Sequence, residues 1–323
     1  MPIIESKYTA SGLFKSGHFS TIYSAKLRPS PLLKQERERI DLPDGDFMDL
    51  DWSYTKEKTQ KVAILLHGLE GNAQRVYIKG QGKILKKHGW DIVAVNFRGC
   101  SGEVNKVYNT YNAGKTEDLD EVIQYILKNK KYTQLDLVGF SLGGNVILKY
   151  LGEGRDHPKE IHKGVAISTP VHLKGSLESL DKFYNKVYST SFLLDLRQKY
   201  KVKMQQFPEK MSVADLKKIK SLYDFDNIYT APANGYKDAD EYYAKSSSLQ
   251  FLPNINIPIL ILNAKNDTFL SPECYPKDIA ERHENIHLEM PKHGGHVGFH
   301  INNTEYYSET RTLEFLCEGR KTN

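Results

Sequence analysis

The sequence predicts an α/β fold: a mostly parallel, doubly wound sheet of about eight strands with an inserted helical cap. Three observations predict it. Short apolar runs of strand length recur at 61–66, 91–97, 135–140, 164–168 and 258–263, as expected for strands buried on both faces. Segments of helical period separate the first of these runs. Glycine-rich loops follow the runs at 67–72, 98–102 and 139–144, on the carboxyl side where such sheets bind ligands. The core is expected over 1–170 and 257–323, and the cap over 171–256.

Bulk properties exclude several classes. The chain has 323 residues, 39% hydrophobic and 26% charged, with a net charge of +5. That length suits one large α/β domain with an insertion. The lysines are scattered, which speaks against a nucleic-acid partner. Apolar runs stay strand-sized, so no integral membrane association is expected, and a weak membrane-surface contact is the most that the charge and aromatic content suggest. The first ten residues lack the pattern of a secretory leader. Three cysteines, Cys100, Cys274 and Cys317, without metal spacing suit a reducing compartment, and a cytoplasmic location is expected. His283 and His287 have i,i+4 spacing but no third ligand at a convincing distance, so neither a metal nor another cofactor is expected.

In chain order, residues 1–35 read as irregular, with Phe14, Phe19, Ile22 and Tyr23 as anchors and a compact turn at 17–22. Segments 37–42 and 47–54 read as a hairpin across Pro43-Asp44-Gly45-Asp46. The second alternates Phe47, Asp49, Asp51 and Ser53 with Met48, Leu50, Trp52 and Tyr54, which suggests a half-buried antiparallel edge. A helix at 75–88 ends at Gly89. Thr116 is placed to cap a helix over 117–128, with Glu117, Asp118 and Asp120 in its first turn. The aromatic-rich stretch 171–256 breaks the strand–helix rhythm. A last strand at 285–290 and a helix at 305–316 close the chain.

Gly139-Phe140-Ser141-Leu142-Gly143 matches G-x-S-x-G between a strand and a helix, the context of a nucleophile elbow. A serine hydroxyl needs a base, and the base needs an orienting acid. In this architecture the order is serine, acid, histidine. Asp267, just past the strand at 258–263, fits the acid, with Asp238, Asp240 and Asp278 as competitors. His293, His296 and His300 crowd the loop after the last strand. His296, flanked by glycines, is the favoured base and His293 the runner-up. The oxyanion of acyl transfer needs preorganised donors, and the backbone amides of Leu142 and Leu69 are the candidates. His67 and Arg98 read as residues that hold loops in place.

Together, His67-Gly68-Leu69-Glu70-Gly71, Asn96-Phe97-Arg98-Gly99-Cys100-Ser101-Gly102, the serine motif with Gly144-Asn145, Asn266-Asp267 and His293-Gly294-Gly295-His296-Val297-Gly298-Phe299 resemble the YheT-like α/β-hydrolases. Gly17-His18-Phe19-Ser20-Thr21-Ile22 and 44–52 fit that family's N-terminal pattern, with Phe19-Ser20 where it more often has Leu-Gln. The resemblance implies an α/β-hydrolase fold and a triad falling on Ser141, Asp267 and His296. It also implies esterase or lipase-like activity on acyl esters, some relatives acting on medium-chain esters or phospholipids. The expected function is a serine carboxylic-ester hydrolase (a carboxylesterase) acting on short- to medium-chain acyl esters. Acyl transfer, a phospholipase using the same triad, and a non-catalytic binding protein remain as rivals. The chain has no His-x-x-x-x-Asp box of the kind that accompanies acyl transfer in some related hydrolases.

Overall fold

The computed structural model describes residues 3–318, so the outermost ends of the expected core, 1–2 and 319–323, lie outside the described residues. Nine strands form one sheet: β1 (Ile3–Ile4), β2 (Glu36–Asp41), β3 (Phe47–Ser53), β4 (Lys61–Leu66), β5 (Asp91–Asn96), β6 (Gln134–Phe140), β7 (Ile161–Ile167), β8 (Ile259–Leu262) and β9 (Ile286–Glu289). Their order is β1-β9-β8-β7-β6-β4-β5-β3-β2. The additional strand relative to the expected eight is β1, whose two residues pair parallel with β9 and are too few to carry a periodic signal. Pairing is parallel from β1 through β5 and antiparallel only where β3 joins β5 and β2.

The order of connection reverses at β4. The chain moves outward from β4 to β5, then returns to lay β6 on the other side of β4. Crevices in such sheets open at the carboxyl ends of the strands flanking that reversal. His67 follows β4 and Ser141 follows β6, so this topology carries both loops to one place.

Twelve helices accompany the sheet among the described residues: α1 (Gly17–Ile22), α2 (Val76–Lys87), α3 (Thr116–Asn129), α4 (Leu142–Gly152), α5 (Leu173–Asp181), α6 (Lys186–Gln206), α7 (Val213–Lys218), α8 (Leu222–Phe225), α9 (Ala231–Ala233), α10 (Ala239–Ser246), α11 (Lys277–Arg282) and α12 (Tyr307–Cys317). Side chains alternate across β4: Val62, Ile64 and Leu66 face a core shared with α3 and α4, while Ala63 and Leu65 face one shared with α2 and α12. Helices thus cover both faces. The helices between β7 and β8 bury a third cluster of their own, including Leu196, Tyr200, Leu216, Phe225 and Tyr229. No helix among the described residues is long and apolar enough to cross a membrane.

Three expectations need correction. β3 is neither an edge nor half-buried: every residue in it is buried, because β2 covers its outer side. Its alternating acids look solvated in sequence, but each is neutralised from β2. Arg37 pairs with Asp51 and Arg39 with Asp49, both through two hydrogen bonds of 2.7–3.0 Å. Thr116 does not cap α3. It lies within the helix, and its hydroxyl donates to Glu153 at 2.6 Å. The segment read as irregular contains α1, which Ser16 caps by accepting from the Phe19 amide.

Arg98, after β5, is buried among acids: its guanidinium donates twice to Asp118 (2.7 and 2.8 Å), to Asp44 (2.6 Å) and to Asp46 (3.0 Å). It joins the hairpin turn to α3 and stays fully charged. Arg98→Met should leave buried Asp46 without its guanidinium partner and buried Asp118 with only Lys115, 4.0 Å away, at a cost of about 3–5 kcal/mol. Urea unfolding of the variant should show this as a lowered midpoint, and an unchanged midpoint would refute the structural role.

Candidate active site

Ser141 joins β6 to α4 with φ +52° and ψ −119°, a conformation that non-glycine residues rarely adopt and that costs of order 1–3 kcal/mol. Glycines around it make the turn feasible. A Cβ on Gly139 would collide with the Gly143 carbonyl, and one on Gly143 would lie 2.6 Å from the carbonyl oxygens of Leu66 and His67. A Cβ on Gly68 would come 3.1 Å from Ser141 Cβ, so the loop after β4 lies directly against the serine. Asn145 anchors α4 from below: its amide group donates to Ala113 and Ser246 carbonyls and its oxygen accepts from the Ser248 amide.

The β4 loop is held by its neighbours. His67 is fully buried; Nδ1 donates to the Gly68 carbonyl at 2.8 Å, and Nε2 accepts the Phe97 amide at 3.2 Å. Burial pushes its pKa down to about 3, so the ring is neutral and serves as a brace. The amides beside Leu69 are consumed: Gly68 donates to Tyr77, Glu70 to Tyr111 and Gly71 to the Gly68 carbonyl. The Leu69 amide bonds to no described residue. The Leu142 amide opens α4, where first-turn N–H groups have no helical acceptor. Both residues line the same cavity as Ser141.

Asp267 and His296 meet. Asp267 Oδ2 lies 2.8 Å from His296 Nδ1, and the carboxyl is fully buried while the ring is 12% exposed. A carboxylate only accepts, so Nδ1 carries the proton and Nε2 of the neutral ring is left as an acceptor. The other carboxylate oxygen takes the Phe269 amide at 3.0 Å, and the Phe269 ring stacks on the imidazole at 4.3 Å. His296 lines the cavity with Ser141.

The competitors stand elsewhere. Asp238 caps α10, Asp240 pairs with Lys174 and Asp278 lies in α11. His293 bonds the Lys15 carbonyl from an exposed position, and His300 stacks on Phe14.

Sequence reading missed the supports of His296. The Thr21 hydroxyl accepts the His296 amide at 2.8 Å, and the Ser168 hydroxyl accepts the Val297 amide at 2.9 Å. Asn266 takes the Gly295 amide and donates to the Lys15 carbonyl. So the N-terminal segment and α1 form a seat under the acid and histidine loops. The Gly17-to-Ile22 motif was visible, but its partners were not. Val297 and Ser168 both have positive φ, +58° and +50°, uncommon for any non-glycine residue and most of all for the β-branched valine. Strain thus gathers around the histidine as well as at the serine.

The cavity measures about 550 Å³, within the roughly 300–1,000 Å³ usual for small-molecule sites. Its wall is mostly apolar and comes from the sheet loops, α1 and the helices between β7 and β8.

Comparison with known proteins agrees with this fold. Residues 62–302 match the family described as alpha/beta hydrolase fold. The chain is 33% identical over 291 residues to the Escherichia coli (strain K12) protein named "Putative esterase YheT", covering 88% of this chain and 85% of that protein. It is 29% identical over 310 residues to phospholipase ABHD3 of Bos taurus, covering 92% of this chain and 74% of that one. The esterase Pf2001 of Pyrococcus furiosus superposes with a TM-score of 0.59 at 17% identity, covering 98% and 97% of the two chains, a likeness of fold. The chain belongs to the α/β hydrolase fold family, in its YheT-like branch.

Proposed function

We propose that the protein is a serine carboxylic-ester hydrolase acting on short- to medium-chain acyl esters. The observation that carries this reading is the Asp267–His296 hydrogen bond of 2.8 Å, made by a histidine that shares its cavity with the strained Ser141. In the proposed sequence Ser141 attacks the ester carbonyl as His296 Nε2 takes its proton. The amides of Leu69 and Leu142 hold the oxyanion. His296 returns the proton to the departing alcohol, then activates water that hydrolyses the acyl-enzyme. Asp267 fixes the ring and stabilises its charged form.

Residues 171–256 act in this reading as a cap over the acyl pocket. Phe183, Val187 and Leu194 are exposed at or along α6, and Val187 also lines the cavity, which supports weak contact with a lipid surface. The three free cysteines accord with a cytoplasmic location.

The test is hydrolysis of p-nitrophenyl esters of increasing chain length. Turnover with a length optimum is expected, since a cavity of about 550 Å³ limits the acyl chain it can hold. Absence of turnover at every length, together with no labelling by a fluorophosphonate probe, would refute the reading. Presenting the longer esters in vesicles should raise their rate, and rates indifferent to vesicles would remove the lipid-surface contact.

A further inference from the structure

One carboxyl in the cavity wall has no part in the chemistry above. Asp226 follows α8 at the start of a single π-helical turn, Asp226–Thr230, a feature frequent at functional sites. It lines the cavity together with Leu222, Phe225, Tyr229, Tyr242 and Tyr243. Its Oδ2 accepts from the Tyr243 hydroxyl at 2.7 Å, and Thr230 is its other side-chain partner. Of the other hydroxyls nearby, Tyr229 donates to the Tyr108 carbonyl, while Tyr242 accepts the Ala113 amide. Among the described residues no Lys, Arg or His bears on this carboxyl. Burial pushes its pKa up to about 6.

A carboxyl enclosed by aromatic and aliphatic side chains is costly unless it is paired. The groups around Asp226 give it two hydroxyls and no cation, and the residue lies half-buried in the cavity wall. An acyl pocket needs no such group. We propose that Asp226 is a substrate-recognition residue, binding a hydrogen-bond donor, a hydroxyl or an ammonium, carried on the substrate away from the ester. Tyr242 and Tyr243 line the cavity beside it, and aromatic rings favour a cationic or polarised group. The subsite discriminates against a carboxylate terminus by charge repulsion and against a plain methyl terminus by leaving the carboxyl unpaired. This inference rests on the ester-hydrolase reading for the bond that reacts, but not for the binding.

The experiment compares p-nitrophenyl esters with a methyl, ω-hydroxyl or ω-amino terminus over a series of chain lengths. At the length that reaches Asp226 the wild type should favour a donor terminus by about tenfold or more in kcat/KM. Asp226→Asn keeps an oxygen for Tyr243 and should reduce that ratio towards unity. The larger of the two donor ratios identifies hydroxyl or ammonium. A second arm measures binding of α,ω-alkanediols against 1-alkanols of equal length by calorimetry, using the Ser141→Ala protein with and without Asp226→Asn. If no ester turns over, the hydrolase reading falls while this arm still decides the subsite. Tighter binding of the diol that disappears with Asp226→Asn supports it. Tighter binding of the alkanol at every length, or a donor preference that survives Asp226→Asn, overturns it. A variant that only melts earlier, with ratios unchanged, would assign Asp226 to bracing Tyr243.

Discussion

Replacing Ser141 with alanine should lower kcat by about 10⁴- to 10⁶-fold while leaving the protein folded. The hydroxyl is the nucleophile that forms the acyl-enzyme in the proposed sequence, so its loss removes that intermediate altogether. What survives is direct attack by water on an ester that the Leu69 and Leu142 amides still polarise, which sets the residual rate. Alanine inherits the strained φ of +52° at this position and occupies no space the serine did not. Unfolding midpoints of the two proteins should therefore be close. Steady-state assays with the preferred p-nitrophenyl ester measure the rate, and fluorophosphonate labelling reports the nucleophile directly. A variant within tenfold of wild type would sink the mechanism, because a different residue or bound water would then be doing the attack.

The elements nearest this serine were the most legible. Strands β4, β5 and β6 are continuous apolar runs because helices cover both their faces, and Gly139 meets the backbone of Gly143 only four residues on. Ser141 was readable for that reason: strand, turn and helix adjoin in sequence. Asp267 and His296 were readable only as positions after late strands, with rivals left standing. The distance that selects them depends on chain packing, as do the contacts from Thr21, 275 residues from the amide it accepts. No local pattern announces such a contact, so a segment read as irregular proved to seat the histidine loop. β3 failed in the opposite sense. Alternating acids ordinarily mark a wet face, and here arginines on the neighbouring strand made that face dry. Asp226 carried no signal at all, being one acid among many in a polar helical stretch until the fold set it in a cavity wall.

The choice among the three clustered histidines gives the second large effect. His296→Ala should cost about as much as the loss of the serine, about 10⁴- to 10⁶-fold in kcat, because nucleophile and base fail as a unit. His293→Ala should cost less than about tenfold. Both residues sit in the same glycine-rich loop, where the sequence favours His296 only through the glycines that flank it. The difference is what their nitrogens meet. His296 has a buried carboxylate on Nδ1 and a cavity on its other side, whereas His293 gives its Nδ1 to the Lys15 carbonyl at an exposed position. A backbone carbonyl can hold a ring's tautomer, but without an acid partner the ring has no negative charge to stabilise its protonated form. His293 still ties the loop to the N-terminal segment, so its loss should show mainly in the unfolding midpoint. The double variant separates the two roles: with the base gone, removing His293 should change the residual rate little while lowering the midpoint further. If instead His293→Ala gave the larger fall in kcat with the fold intact, the base would have to be reassigned. The Asp267–His296 pair would then be a structural bond, and the loop would have to move for His293 to reach the serine.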